Sequence, residues 1–138
     1  MKISKIHKNS IKKIAEKYDL KLILLFGSLA RGQERDDSDV DIGVVMNKNL
    51  DLRQELSVIS ELTAIFKREV DLSILNHANP LLLHQATKGA VLLYGSEREY
   101  FKFRLYAFHR YNDYAPYFKM EEQLNKRLIK EFIKEYAS

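Results

Sequence analysis

The chain has no cysteine among its 138 residues, which excludes a disulfide scaffold, a thiolate metal site and cysteine catalysis. Long apolar runs are also missing. The longest, Leu22 to Phe26, is far short of the roughly 20 residues needed to cross a bilayer. The basic start MKISKIHKNSIKK is not followed by an apolar core and a small-residue cleavage site, so it does not read as a signal peptide. With five glycines and two prolines there is no linker or low-complexity tract, and no repeat is evident. Charge of one sign is scarce too: 23 Lys and Arg stand against 19 Asp and Glu, a net +4. Because the basic residues are spread along the chain, they read first as solvated surface. Attraction to a polyanion such as a nucleotide, RNA or an acidic partner is the alternative, and charge alone does not separate the two. These absences lead us to expect a soluble, cytoplasmic, single-domain protein.

Patterning supplies the elements. Asn9 or Ser10 can cap a helix from about Ile11 to Tyr18, with Ile11, Ile14 and Ala15 on one face. Lys21 to Phe26, ended by Gly27, has the continuous apolar character of a strand buried on both faces. A polar loop from Gly32 to Ser38 leads to a second strand over Asp39 to Val45. Asp51 caps a helix reaching about Lys67, with Leu52, Leu56, Ile59, Leu62, Ala64 and Ile65 at helical spacing. Val70 to Leu75 is a third strand, Pro80 opens a short helix to Thr87, and Ala90 to Tyr94 is a fourth strand. From Glu97 the chain is helical to its end, with an interruption near Pro116. The expected class is α/β: a mixed sheet of about four strands with flanking helices and a C-terminal helical tail. Residues 1–96 form the core; 97–138 form an extension packed on it within one domain.

The chemistry concentrates in Gly27-Ser28, ten residues, then Asp39-Val40-Asp41. Side chains alternate along a strand, so Asp39 and Asp41 share a face about 7 Å apart while Val40, Ile42 and Val44 turn to a core. Adjacent carboxylates repel and favour a cation, and Mg²⁺ suits them because it takes hard oxygen ligands and keeps positions for water and phosphate. Asp71, between Val70 and Leu72, is a third acid. If its strand neighbours the second, three acids could hold two metals flanking an in-line displacement at phosphorus. Gly27 lets a phosphate approach the backbone, and Ser28 offers a hydroxyl and an N–H at the start of a helical turn, Leu29 to Arg31. Together these features describe a nucleoside-triphosphate site.

G-S-x10-D-x-D, with A-R-G inside it and a later apolar-Asp-apolar strand, resembles the DNA polymerase β-like nucleotidyltransferase superfamily. A one-domain chain of this size is similar, more narrowly, to the MNT-type antitoxins that pair with HEPN ribonuclease toxins. That resemblance implies a nucleotidyltransferase fold in which Gly27 and Ser28 contact the triphosphate and Asp39 and Asp41 bind Mg²⁺. It implies too that Asp71 completes the metal site and can take the acceptor's proton; Arg31, in A-R-G, flanks the site in sequence and could neutralise phosphate charge. The implied reaction is transfer of AMP from ATP to a toxin tyrosine, releasing pyrophosphate and blocking the toxin's RNase activity. Two rivals stay open: modification of a small molecule or nucleic-acid end, and an antitoxin that neutralises by binding without catalysis. Direct nucleic-acid binding and membrane association are not expected.

Weaker candidates remain. Arg35 reads as a solvated loop residue, and Asp36 and Asp37 as turn formers. His7, His77, His84 and His109 show no metal-ligand spacing. In the tail, Tyr100, Phe103, Ala107, Tyr111, Tyr114 and Phe118 make one helical stripe, and Phe101, Leu105 and Phe108 a second. Two stripes exceed what a helix on one surface must bury, which suggests a protein interface. Arg104-x4-His109-x-Tyr111 also spells the short R-x4-H-x-Y signature of HEPN ribonucleases, in a tail too short for their helical bundle.

Overall fold

The structure, a computed structural model, describes residues 5–32 and 38–137. Its centre is β1 (Leu20–Phe26), buried at every position but Lys21. β2 (Val40–Met46) and β4 (Val91–Tyr94) flank it, both antiparallel, and β3 (Val70–Ile74) runs parallel to β2 at the edge, giving the order β3-β2-β1-β4. A parallel neighbour requires a crossover, and α3 (Leu52–Phe66) provides it. Asp51 starts α3 with a reciprocal capping box: its carboxylate accepts from the Gln54 N–H while the Gln54 side chain accepts from the Asp51 N–H. Lys67, in the left-handed conformation, ends it. Past β3, the Asn76 side chain clamps the Met46 backbone, accepting from its N–H at 2.7 Å and donating to its carbonyl at 2.8 Å.

Two apolar layers enclose the sheet. On one face α1 (Lys5–Lys17) and α3 press Ile11, Ile14, Val58, Leu62 and Phe66 against Ile23, Leu25, Val40, Ile42 and Val44. On the other, α4 (Pro80–Thr87) and the start of α5 (Glu97–Ala137) set Leu83, Ala86 and Ala107 over Leu22, Leu24, Val45 and Leu75. Asn79 caps α4 through its side-chain oxygen, with Pro80 in the first turn, as the sequence suggests. His84 of α4 stacks on Tyr111 of α5, ring centroids 3.8 Å apart, tying the two helices together.

Three expectations are corrected. α1 begins by Lys5, so Asn9 and Ser10 lie inside it rather than capping it; half-buried His7, one turn before Ile11, extends the packed face. In α3 the buried stripe is Val58, Leu62 and Phe66, while Leu52 and Leu56 are 71% and 57% exposed. Periodicity alone does not choose between two overlapping stripes; contact with Ile42 and Val44 does. α5 runs unbroken through Pro116. Proline takes the hydrogen bond from the Asn112 carbonyl and crowds it, but Asn112 and Pro116 are both exposed, so water can reach that stretch of the helix. At 41 residues α5 is about 60 Å long, and every described residue from Lys119 onward is exposed. Among the described residues no helix is long and apolar enough to cross a membrane.

Candidate active site

Strand register assembles the site. Phe26 of β1 pairs with Asp41 of β2, and Asp41 pairs with Asp71 of β3, so the two acids stand side by side on neighbouring strands. Period-two alternation turns both towards the α4 face while Val40 and Ile42 fill the opposite core. Further along the same face come Gly43 and Ser73, and then the apolar Val45 and Leu75. α4 covers only the apolar end. The acidic end opens into a cleft of about 420 Å³. It is lined by Phe26, Gly27 and Arg31, by Asp41, Asp71 and Ser73 of β2 and β3, and by Leu82 and Gln85 of α4.

Gly27 is required by geometry rather than by loop flexibility. Its φ is +74°, and a Cβ there would lie 2.1 Å from Asp41 Oδ2. The chain thus turns into α2 (Gly27–Ala30) directly against the Asp41 carboxylate. Burial holds the Asp41 carboxyl above its ordinary pKa, the Asp71 and Asp39 carboxylates push the same way, and the Arg31 guanidinium partly opposes them. Such a pair of under-neutralised carboxylates fits a hard divalent cation that keeps water and phosphate oxygens in its remaining positions. Among the described residues no three His, Asp or Glu side chains converge closely enough to enclose an ion by themselves.

The structure therefore brings together Gly27, Arg31, Asp41 and Asp71 from the sequence-derived set. Ser28, half-buried in α2, and Asp39, exposed just before β2, sit beside the cleft without lining it. Arg35, Asp36 and Asp37 lie outside the described residues. Of the histidines, His84 is engaged in its stack, and His77 and His109 are exposed. Arg104, His109 and Tyr111 do not form a site: five residues along a helix turn His109 about 140° away from Arg104, and Tyr111 is committed to His84. Ser73, Leu82 and Gln85 escaped sequence reasoning. Ser73 was accessible through its period-two relation to Asp71, whereas Leu82 and Gln85 depend on how α4 docks.

The family described as "Polymerase beta, Nucleotidyltransferase" matches residues 9–99. Protein adenylyltransferase MntA of Shewanella oneidensis is 31% identical over 98 residues, covering 71% of this chain and 66% of that protein. The chain thus spans just under two thirds of that relative's length. Among solved structures, a chain in the crystal structure of a toxin–antitoxin with AMP-PNP superposes with a TM-score of 0.73 at 26% identity, over 85% of this chain and 97% of that one. A chain from a complex of tri-AMPylated Shewanella oneidensis HEPN toxin with MNT antitoxin shares the fold, with a TM-score of 0.68 at 24% identity over 86% and 96% of the two chains.

Proposed function

Because the chain belongs to the polymerase β nucleotidyltransferase family, we propose that it transfers AMP from ATP to a tyrosine hydroxyl of a HEPN-type toxin, as the antitoxin of that pair. The observation that carries this reading is the Asp41–Asp71 register beside Gly27. The adenylyltransferase name of the Shewanella relative and the likeness to a toxin–antitoxin chain crystallised with AMP-PNP support the donor and the partner. ATP as donor and an RNase as target are consistent with the expected cytoplasmic setting.

In this mechanism Gly27, Ser28 and Arg31 receive the β- and γ-phosphates, the glycine by close backbone approach and the arginine by charge. Asp39, Asp41 and Asp71 are the residues that would hold Mg²⁺, as two ions. When bound, the metal neutralises phosphate charge and stabilises the entering and leaving oxygens. Asp71 accepts the proton of the tyrosine hydroxyl. The phenolic oxygen bonds to the α-phosphorus as the bond to the bridging α–β oxygen breaks, and pyrophosphate leaves on the Arg31 side. The exposed apolar residues of α5, among them Leu128 and Phe132, supply the partner-binding surface of the 97–138 extension.

The test is label transfer from α-labelled ATP to the tyrosine of a co-purified HEPN partner. Label on that tyrosine, lost in Asp39→Ala/Asp41→Ala, is the expected result. No transfer with any nucleotide sinks the enzyme reading, and neutralisation by the double variant without label favours a pure binder.

A further inference from the structure

We propose that the stack of His84 on Tyr111 holds the α4 wall of the active-site cleft in place, so that both are positioning residues for nucleotidyl transfer although neither lines the cleft. The proposal rests on the transfer reading above and adds to it the means by which the wall is held. α4 brings Leu82 and Gln85 into the cleft that Asp41 and Asp71 share. With eight residues it is too short to be stable by itself, so its place depends on what it packs against. Its main supports are α5 and β1.

Helical geometry separates the faces of α4, since each residue turns the helix by about 100°. Pro80, Leu83 and Ala86 form the buried face, the last two within the core over β1. From Leu83, Leu82 lies to one side, with Gln85 next to it one turn on, and His84 lies to the other. The buried face thus separates the cleft flank from the stacking flank, and a small roll of α4 over the sheet moves both at once. The stack opposes that roll. Its rings lie 3.8 Å apart and within 13° of parallel, a contact that any roll would open. Tyr111 is held from its own side by Phe118, 6.2 Å away on α5, and by Ala107, one turn earlier and buried in the core. α5 therefore gives the stack a fixed side, and α4 is the element it holds. A misplacement of about 1 Å can cost a reaction about a hundredfold. Partial loosening of one wall should cost about tenfold.

The experiment removes the ring face from each side in turn, with His84→Leu, Tyr111→Leu and the double variant. Tyr111→Phe is the conservative change. Leucine keeps these half-buried positions apolar, and circular dichroism checks each fold. If one leucine variant fails to fold, the other carries the same test from the opposite helix. Three quantities are read: kcat/KM for labelling the HEPN partner from α-labelled ATP, capture of that partner, and amide hydrogen exchange over residues 80–87. Each single leucine variant is expected to lower kcat/KM about tenfold and to speed exchange in α4 about tenfold. The double variant should be no worse than either single, because both break one contact. Tyr111→Phe should stay within about twofold of wild type, and capture should be unchanged. Unchanged kcat/KM, slower transfer without faster exchange in α4, or single effects that multiply in the double variant would each overturn the proposal. So would a Tyr111→Phe as impaired as Tyr111→Leu, or a loss of capture that matches the loss of transfer. A wild-type chain that labels no partner condemns the transfer reading, and the positioning role falls with it. The exchange comparison, which needs no activity, still shows in that case whether the stack holds α4.

Discussion

Asp41 and Ile42 are neighbours in β2, yet they belong to two different kinds of surface. Ile42 is 0% exposed, sealed with Val40 and Val44 beneath α1 and α3. Asp41 faces the other way, on a side that α4 and α5 cover only in part. One face of the sheet is apolar along its length; the other is apolar at one end and acidic at the other. The closed face supplies the stability that lets the open end keep adjacent carboxylates whose mutual repulsion works against folding. This division is sharp enough to test residue by residue. Asp41→Ala or Asp71→Ala should lower adenylyl transfer about a thousandfold or more, equivalent to about 4 kcal/mol of barrier. Neither should lower the melting temperature of the metal-free protein, since each removes repulsion. A melting temperature several degrees below wild type would show that the acids also hold the fold, and the contrast between the faces would collapse.

Ile42→Ala is the mirror experiment on the same strand. It deletes buried methyl groups between two helices, so urea denaturation should show a loss of about 2–5 kcal/mol. The variant that remains folded should bind nucleotide with nearly unchanged affinity, because the altered side chain points away from the cleft.

How much of this contrast was readable in the sequence depends on whether a neighbour was needed to decide it. Val40, Ile42 and Val44 announce a buried face by alternation, and Asp51, Pro80 and the apolar run to Phe26 mark element ends through local chemistry. Fold class, strand identities and the clustering of Asp41 with Asp71 follow from such signals once β2 and β3 are paired. What failed required three dimensions. Leu52 and Leu56 looked as buried as Leu62 because two stripes overlap on α3, and only the sheet beneath selects one. Pro116 looked like a break because its penalty was judged without knowing that it falls on an exposed stretch of α5. Leu82 and Gln85 carry no signature until α4 is laid across the cleft.

The two glycines facing the same side separate the ends of that face more finely. At Gly27, the positive φ and the 2.1 Å approach to Asp41 mean that Gly27→Ala displaces a carboxylate of the site. At Gly43, an added Cβ would lie 2.6 Å from Leu75 Cδ1, so Gly43→Ala disturbs packing instead. Each should cost about 1–3 kcal/mol of stability by overpacking or backbone strain. Only Gly27→Ala should also weaken nucleotide binding, read as an AMP-PNP Kd raised about tenfold. If Gly43→Ala weakened binding equally, the acidic and apolar ends would be one mechanical unit.

The smallest effect on stability is expected where the mixed face runs out. α5 begins as part of its cover, with Ala107 buried and Tyr111 stacked on His84, and then continues past the sheet. Beyond it the apolar side chains persist without packing on the core: Leu128 is 51% exposed and Phe132, against Tyr136 of the same helix, 61%. Had these residues been core, their removal would cost several kcal/mol. As solvent-facing positions they should contribute little, so deleting residues 119–138 should shift unfolding free energy by under about 0.5 kcal/mol in urea titration. AMP-PNP binding should survive, because the cleft is built entirely from residues 26–85. Capture and labelling of the HEPN partner should fall about tenfold or more, since the apolar surface proposed to hold it is gone. A large loss of stability would mean that the distal half of α5 folds back on the core in solution. Full labelling by the shortened chain would confine partner recognition to the cleft and its α4 wall.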